Sequence, residues 1–238
     1  MSDIASRFKG CAAAEVKAGR VPNPELGKAA YLIDTVRMKD GRNGGFRTEV
    51  NMTCLYGIQA GTTSEGKEAG PNHAGDKVNQ CIFSGDYFHK QFKEFCLKAI
   101  GKEPHEELEI ADYVCPTADY PGKPELDRLQ IMWEEVLPGM VCAFDPKDGS
   151  ATEAGVFDGQ VVLEIGTTEK DVPTLIDKSK GVVDGNFMFD ANGNKISKVY
   201  RNSYFNRKIG KAEIREKLDE KDLARFFGSV EAFEALED

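Results

Sequence analysis

A mainly β protein with helices, of the α+β class, is predicted by three observations in this sequence. Two apolar-alternating stretches near the start flank a glycine-rich turn, an amphipathic helical pattern follows them, and an Asn-Gly pair sits between two alternating arms near the end. With 238 residues, 40% of them hydrophobic, and a mean hydropathy of −0.44, the chain can bury a sizeable core. That composition argues against wholesale disorder.

Residues 26–38 and 45–58 read as strands. In the second, Phe46, Val50, Met52 and Cys54 fall on one face and Arg47, Glu49, Asn51 and Thr53 on the other. The Lys39–Gly45 turn makes them a hairpin. A Gly-, Thr- and Ser-rich loop over 59–79 follows, long enough to suggest function, and a short strand at Val78–Phe83 leads out of it. A helix over 85–100 places Phe88, Phe92, Phe95, Cys96 and Ala99 on a core face, with Ser84 as a candidate N-cap and Gly101 at its end. A second helix over 125–137 aligns Leu126, Leu129, Trp133 and Leu137 and stops at Pro138-Gly139, which makes the only Trp a packing residue. Strand character returns at 139–145 and 155–166, and a polar excursion over 167–185 precedes the 186–209 hairpin. A helix over 211–227 and an acidic tail over 228–238 complete the chain. Residues 1–227 are expected to form one domain.

This order matches a small antiparallel barrel of the OB type, with helices inserted between its third and fourth strands. Other α+β folds share the order.

Charge is segregated. The formal net charge is −9, yet residues 195–217 hold 8 bases and 2 acids, whereas the last 21 residues hold 2 bases and 7 acids. A basic segment that meets a polyanion, with an acidic end competing for it, is one reading; ordinary solvated surface is the other. On a regular 195–208 strand, Ile196, Tyr200 and Tyr204 share a core-like face with Lys198 and Asn202. The opposite face carries Lys195, Arg201, Phe205 and Arg207, with Lys208 just beyond. Cations for phosphates and a ring under a base suit a single strand of nucleic acid. One bulge would exchange the faces and turn Tyr200 and Tyr204 outward. Arg42 and Arg47, beside Lys39, are expected to extend the surface.

No P-loop, G-x-S-x-G or H-E-x-x-H motif is present, so no catalytic residue is assigned and no enzymatic activity is expected. The six cysteines lack any C-x-x-C and stand apart from His73, His89 and His105; separate thiols, no metal site and no cofactor are the expectation. Asp190–Asn194 begins like a calcium loop but has Lys195 where Gly is needed and Arg201 where Glu is needed. The chain shows neither a signal-peptide pattern nor an apolar run of about 20 residues, so a cytoplasmic, non-membrane protein is expected.

In this organisation the chain resembles the single-stranded-DNA-binding proteins of bacteriophages, which pair an OB-fold body with an acidic carboxyl-terminal tail. The resemblance rests on the element order, on KISKVYRNSYFNRK (195–208) and on EAFEALED (231–238). It implies single-stranded DNA as ligand, a role in DNA replication, recombination or repair, location in the host cytoplasm, and a tail that recruits replication or recombination proteins. Phe233 and Leu236 would then be apolar anchors among Glu231, Glu234, Glu237 and Asp238. The helix-like spacing of Phe233 and Leu236 equally suits the last turn of an amphipathic helix packed on the body. A non-enzymatic phage structural or assembly protein, a homo-oligomer, is the rival function.

Overall fold

The computed structural model describes residues 21–40, 46–83, 85, 87–102, 114–137, 160–173, 189, 192 and 194–236. The predicted strand at 139–145, the Ser84 cap, Gly193 of the hairpin turn, Arg42, Glu237 and Asp238 lie outside these residues.

The two alternating stretches pair as an antiparallel hairpin, β1 (Gly27–Asp40) and β2 (Phe46–Thr62). The alternation sends Tyr31 and Ile33 to the same side as Met52 and Cys54, because residues two apart on a strand share a face. A two-residue strand, β3 (Glu68–Ala69), pairs with the end of β2, and β4 (Lys77–Phe83) pairs with its first half. The predicted 59–79 loop is thus shorter than its composition suggests. A buried amide holds it down: Asn72 Oδ1 accepts from the Tyr31 hydroxyl at 2.6 Å and the Glu25 N–H at 2.8 Å.

Helix α1 (Phe88–Ala99) lays Phe88, Phe92, Phe95 and Cys96 on the sheet, as their spacing requires. It begins at Phe88 rather than 85. It ends where Gly101 takes φ +75°, with Lys102 N–H donating to Leu97 O and Gly101 N–H to Lys98 O. That pair of bonds satisfies carbonyls which the helix end would orphan. Helix α2 (Glu125–Ile131) runs on into a π-helical turn over Met132–Val136, where Trp133 packs against the core under the Lys93 ammonium.

Strand β5 (Val162–Pro173) pairs with β1, and β6 (Ser197–Lys208) pairs with β5. An isolated Phe189–Lys195 bridge spans the Asn-Gly region ahead of β6. The sheet order is β4-β2-β1-β5-β6, all antiparallel, in which a fourth long strand returns beside the first in the Greek-key manner. The fold is therefore α+β, built on an antiparallel sheet.

The predicted 211–227 helix divides. Helix α3 (Lys211–Lys217) stops at an extended Leu218, and Asp219 caps α4 (Glu220–Phe227) by accepting the Asp222 N–H at 2.8 Å. An Asp followed by an acidic first turn is a start signal strong enough to interrupt the helical pattern. After Gly228, Ser229 caps α5 (Val230–Glu234), which drives Phe233 against Phe227 at a 5.0 Å ring separation. These three helices cover Ala30, Leu32, Leu55 and Val162 on the sheet face opposite α1. The sheet consequently has two cores. Among the described residues, no helix is long and apolar enough to cross a membrane.

Candidate nucleic-acid interface

Strand β6 decides which predicted residues meet solvent. Ile209 is fixed in the second core and donates its N–H to Val162 O. Counting back by twos from Ile209 would bring Phe205 to that same face. Instead the register jumps from Glu164–Arg207 to Ile165–Phe205, so Asn206 is an extra residue, a β-bulge. Phe205 therefore turns toward α1, its ring 4.8 Å from that of Phe95. Tyr200 and Tyr204 turn outward, 49% and 42% exposed. Of the two alternatives in the sequence, the exchanged faces are the ones seen, and Phe205 is a packing residue.

Register then builds a ladder on the outer face of the β5–β6 pair. Lys170 stands opposite Tyr200, Val172 opposite Lys198, Thr168 opposite Asn202 and Gly166 opposite Tyr204. Direct partners share a face, so two tyrosines about 13 Å apart along the strand share one row with Lys198 and Asn202, and Lys170 stands opposite Tyr200. Gly166 is specified by its neighbour, because a Cβ there would lie 2.3 Å from the Tyr204 ring.

The arginines are differently disposed. Arg207 donates Nε–H to Glu164 at 3.0 Å and grips both Glu213 oxygens at 2.8 and 2.9 Å. Arg201 pairs with Glu25 at 3.1 Å and with Glu169 at 3.3 Å. Arg47 pairs with Glu49 at 2.6 Å. Each of these predicted phosphate contacts is already neutralised by carboxylate. The Glu169 carboxyl is held below its ordinary pKa range first by the Ser64 N–H and then by Arg201. Lys195 and Lys198 are exposed and Lys208 is half-buried.

Nor do the predicted cations form one surface. Arg47 lies opposite Lys39 near the end of β1, whereas Tyr204 lies across β5 from Lys28 near its beginning. Eleven residues of strand, about 36 Å, separate the two places.

The tail residues lie on α5 and just past it. Phe233 is fully buried and Leu236 packs against the second core, while Glu231 and Glu234 remain exposed. Lys211 Nζ donates to the carbonyls of Glu234 and Leu236, both at 2.9 Å. Of the sequence alternatives, the packed helical turn is the one seen, so Phe233 is not presented as an anchor.

No protein-family model and no curated protein sequence matches this chain. The chemistry of the site therefore rests on its own residues. Among the described residues, no cluster of three or more metal-ligating side chains occurs. Cys54, Cys81, Cys96 and Cys115 are thiols rather than disulfides. Burial pushes the Cys54 thiol up to about 12, which leaves it protonated and inert.

Sequence reasoning missed Lys170, because 167–185 reads as a polar excursion. The polar end of β5 projects past the start of β1, which pairs only as far as Thr167, and has no core to face. The β-branched Thr167, Thr168 and Val172 were the available signal.

The Arg207–Glu213 pair has a pH signature. Hydrogen bonds from Arg207 lower the Glu213 pKa below its ordinary range. A depressed folded pKa contributes stability that is present above the unfolded value and lost as pH falls through the folded one. Glu213→Gln should therefore lower stability at neutral pH and flatten its decline as pH falls through and below the ordinary carboxylate range, read by thermal unfolding. A variant with the parent's acid slope would show that the pair contributes nothing to folding.

Proposed function

We propose that this chain is a non-enzymatic binder of single-stranded DNA, acting in replication, recombination or repair. The observation that carries the reading is the outward pair Tyr200 and Tyr204 on β6, interleaved with Asn202, with Lys198 in the same row and Lys170 directly opposite Tyr200 on β5. Rings take bases and lysines take phosphates, with little sequence preference, since every base has a π-face.

An OB-like barrel is the architecture we infer. The order β4-β2-β1-β5-β6 is that of a five-stranded Greek-key barrel before closure, and α1, inserted between β4 and β5, packs against both β4 and β6. The OB body is a recurrent frame for oligonucleotides.

The carboxylates on Arg47, Arg201 and Arg207 refine the electrostatics. A phosphate gains little from an arginine already paired, so the lysines carry the counterion release. The logarithmic salt dependence should be shallow, near −0.7 for each of a few phosphates. Titration of a labelled ~30-nucleotide single strand and its duplex at two salt concentrations tests this. Lys170→Ala with Lys198→Ala should flatten the slope and weaken binding, whereas Arg201→Ala should change the slope little. Absence of single-strand binding at low salt would overturn the reading.

A second reading draws on a different observation. Val172, Ile196 and Val199 are exposed at 38%, 38% and 54% around the same edge strand. Apolar groups along an edge suit self-association, as an assembly protein would use. A defined oligomer indifferent to DNA would favour it.

A further inference from the structure

Gly166 lies in the interior of β5, directly opposite Tyr204 on β6. Its backbone does not call for glycine, since it is not among the residues with positive φ. A glycine inside a strand gives up side-chain packing, and often marks the close approach of another group. Here that group is the Tyr204 ring. A Cβ at position 166 would fall against the Tyr204 Cζ and hydroxyl, and 2.8 Å from its Cε1. Gly166 is accordingly buried, while Thr168 and Lys170, the next outward positions of β5, are exposed. Tyr204 is thus laid across β5, covering the glycine on one side while remaining 42% exposed. Its register is fixed on both sides, by the bulge at Asn206 and by the 2.9 Å hydroxyl contact of Thr167 with Ser203 in the adjacent pair. Tyr200 has no such seat, because Lys170 rather than glycine stands opposite it.

We infer that Gly166 is a positioning residue for single-strand binding, which holds the Tyr204 ring across the sheet so that its outer π-face is in place for a base. This rests on the single-strand reading above and names what sets one of its two rings. A ring fixed before the ligand arrives loses little rotamer freedom on stacking, whereas Tyr200 must be ordered by the strand it meets. The atoms that a side chain at 166 would strike are the far end of Tyr204 and not backbone. The ring swings aside and the sheet stays intact.

Gly166→Ala, Tyr204→Ala and the double variant form the test, each titrated with a labelled ~30-nucleotide single strand and followed by thermal unfolding. Gly166→Ala is expected to keep the parent's thermal transition. Its affinity should fall toward that of Tyr204→Ala, a loss of roughly 5- to 150-fold for one stacked base. Added to Tyr204→Ala, it should have no further effect, because Gly166 acts through the ring. A second readout needs no DNA. A ring over Gly166 shields its Hα protons, so their NMR resonances should lie upfield in the parent and return to the ordinary glycine range in Tyr204→Ala. Resonances that Tyr204→Ala does not move would overturn the inference. So would a Gly166→Ala chain that binds like the parent while Tyr204→Ala binds weakly, or one weakened equally with and without the ring; both leave the β6 reading standing. No strand bound by the parent chain would overturn both. If Gly166→Ala unfolds, the single tyrosine variants decide. Tyr204→Ala is expected to lose roughly 2- to 12-fold more affinity than Tyr200→Ala, and equal losses would overturn the positioning role.

Discussion

Replacing Tyr200 and Tyr204 together by alanine is expected to weaken single-strand binding by roughly 2–6 kcal/mol, since each stacked base is worth about 1–3 kcal/mol. Affinity would fall from about 30-fold to more than a thousandfold, with the salt slope nearly unchanged because no cation is removed. Both rings are about half exposed, so folding should be little affected. Phenylalanine at the same positions keeps the π-face and should restore most of the affinity. Phe205→Ala is the contrasting variant. Its ring lies against Phe95 under α1, so its removal should lower stability by up to about 3–5 kcal/mol while sparing affinity per folded molecule. Binding that survives the double tyrosine variant would exclude the β6 face as the contact.

The second large effect concerns the carboxyl terminus. Phe233→Ala is expected to cost about 3–5 kcal/mol of stability, a large share of the ~5–15 kcal/mol typical of a whole domain. Phe233 has no solvent exposure and fills the second core beside Phe227 and Leu223. Deleting 228–238 should act in the same direction, and would also strip Lys211 of the carbonyls it holds. Thermal unfolding read alongside DNA titration separates two outcomes. Lost stability at constant affinity per folded molecule is the result expected of a packed helix. Raised affinity at constant stability, most visible at low salt, is the result of an acidic tail competing for the cations, and would overturn the packing assignment.

The contrast between these variants shows how unevenly sequence reports on structure. Elements with a strong period were legible: the alternating hairpin of β1 and β2, and the Phe88-Phe92-Phe95-Cys96 stripe of α1. Their apolar positions have a single way to be buried. The break at Leu218 was legible in retrospect, since Asp219 and its acidic followers spell a helix start inside a longer apolar period. The polar half of β5 was not, because it pairs with β6 beyond the start of β1 and needs no apolar pattern there.

At the candidate site the sequence by itself determined the ingredients. A run of rings, lysines and arginines over 195–208 and an acidic, helix-spaced terminus can be read without coordinates. Which ring faces water was decided by one residue of register: the bulge at Asn206 turns Phe205 inward and Tyr204 outward. Which cations remain for a ligand was decided by long-range neighbours. Glu25, Glu169, Glu164 and Glu213 reach Arg201 and Arg207 only once β1, β5 and α3 have assembled around β6. The physical reason is the same in both cases. Local periodicity is a property of one segment, whereas facing and charge compensation belong to pairs of segments, and those pairs exist only in the folded sheet.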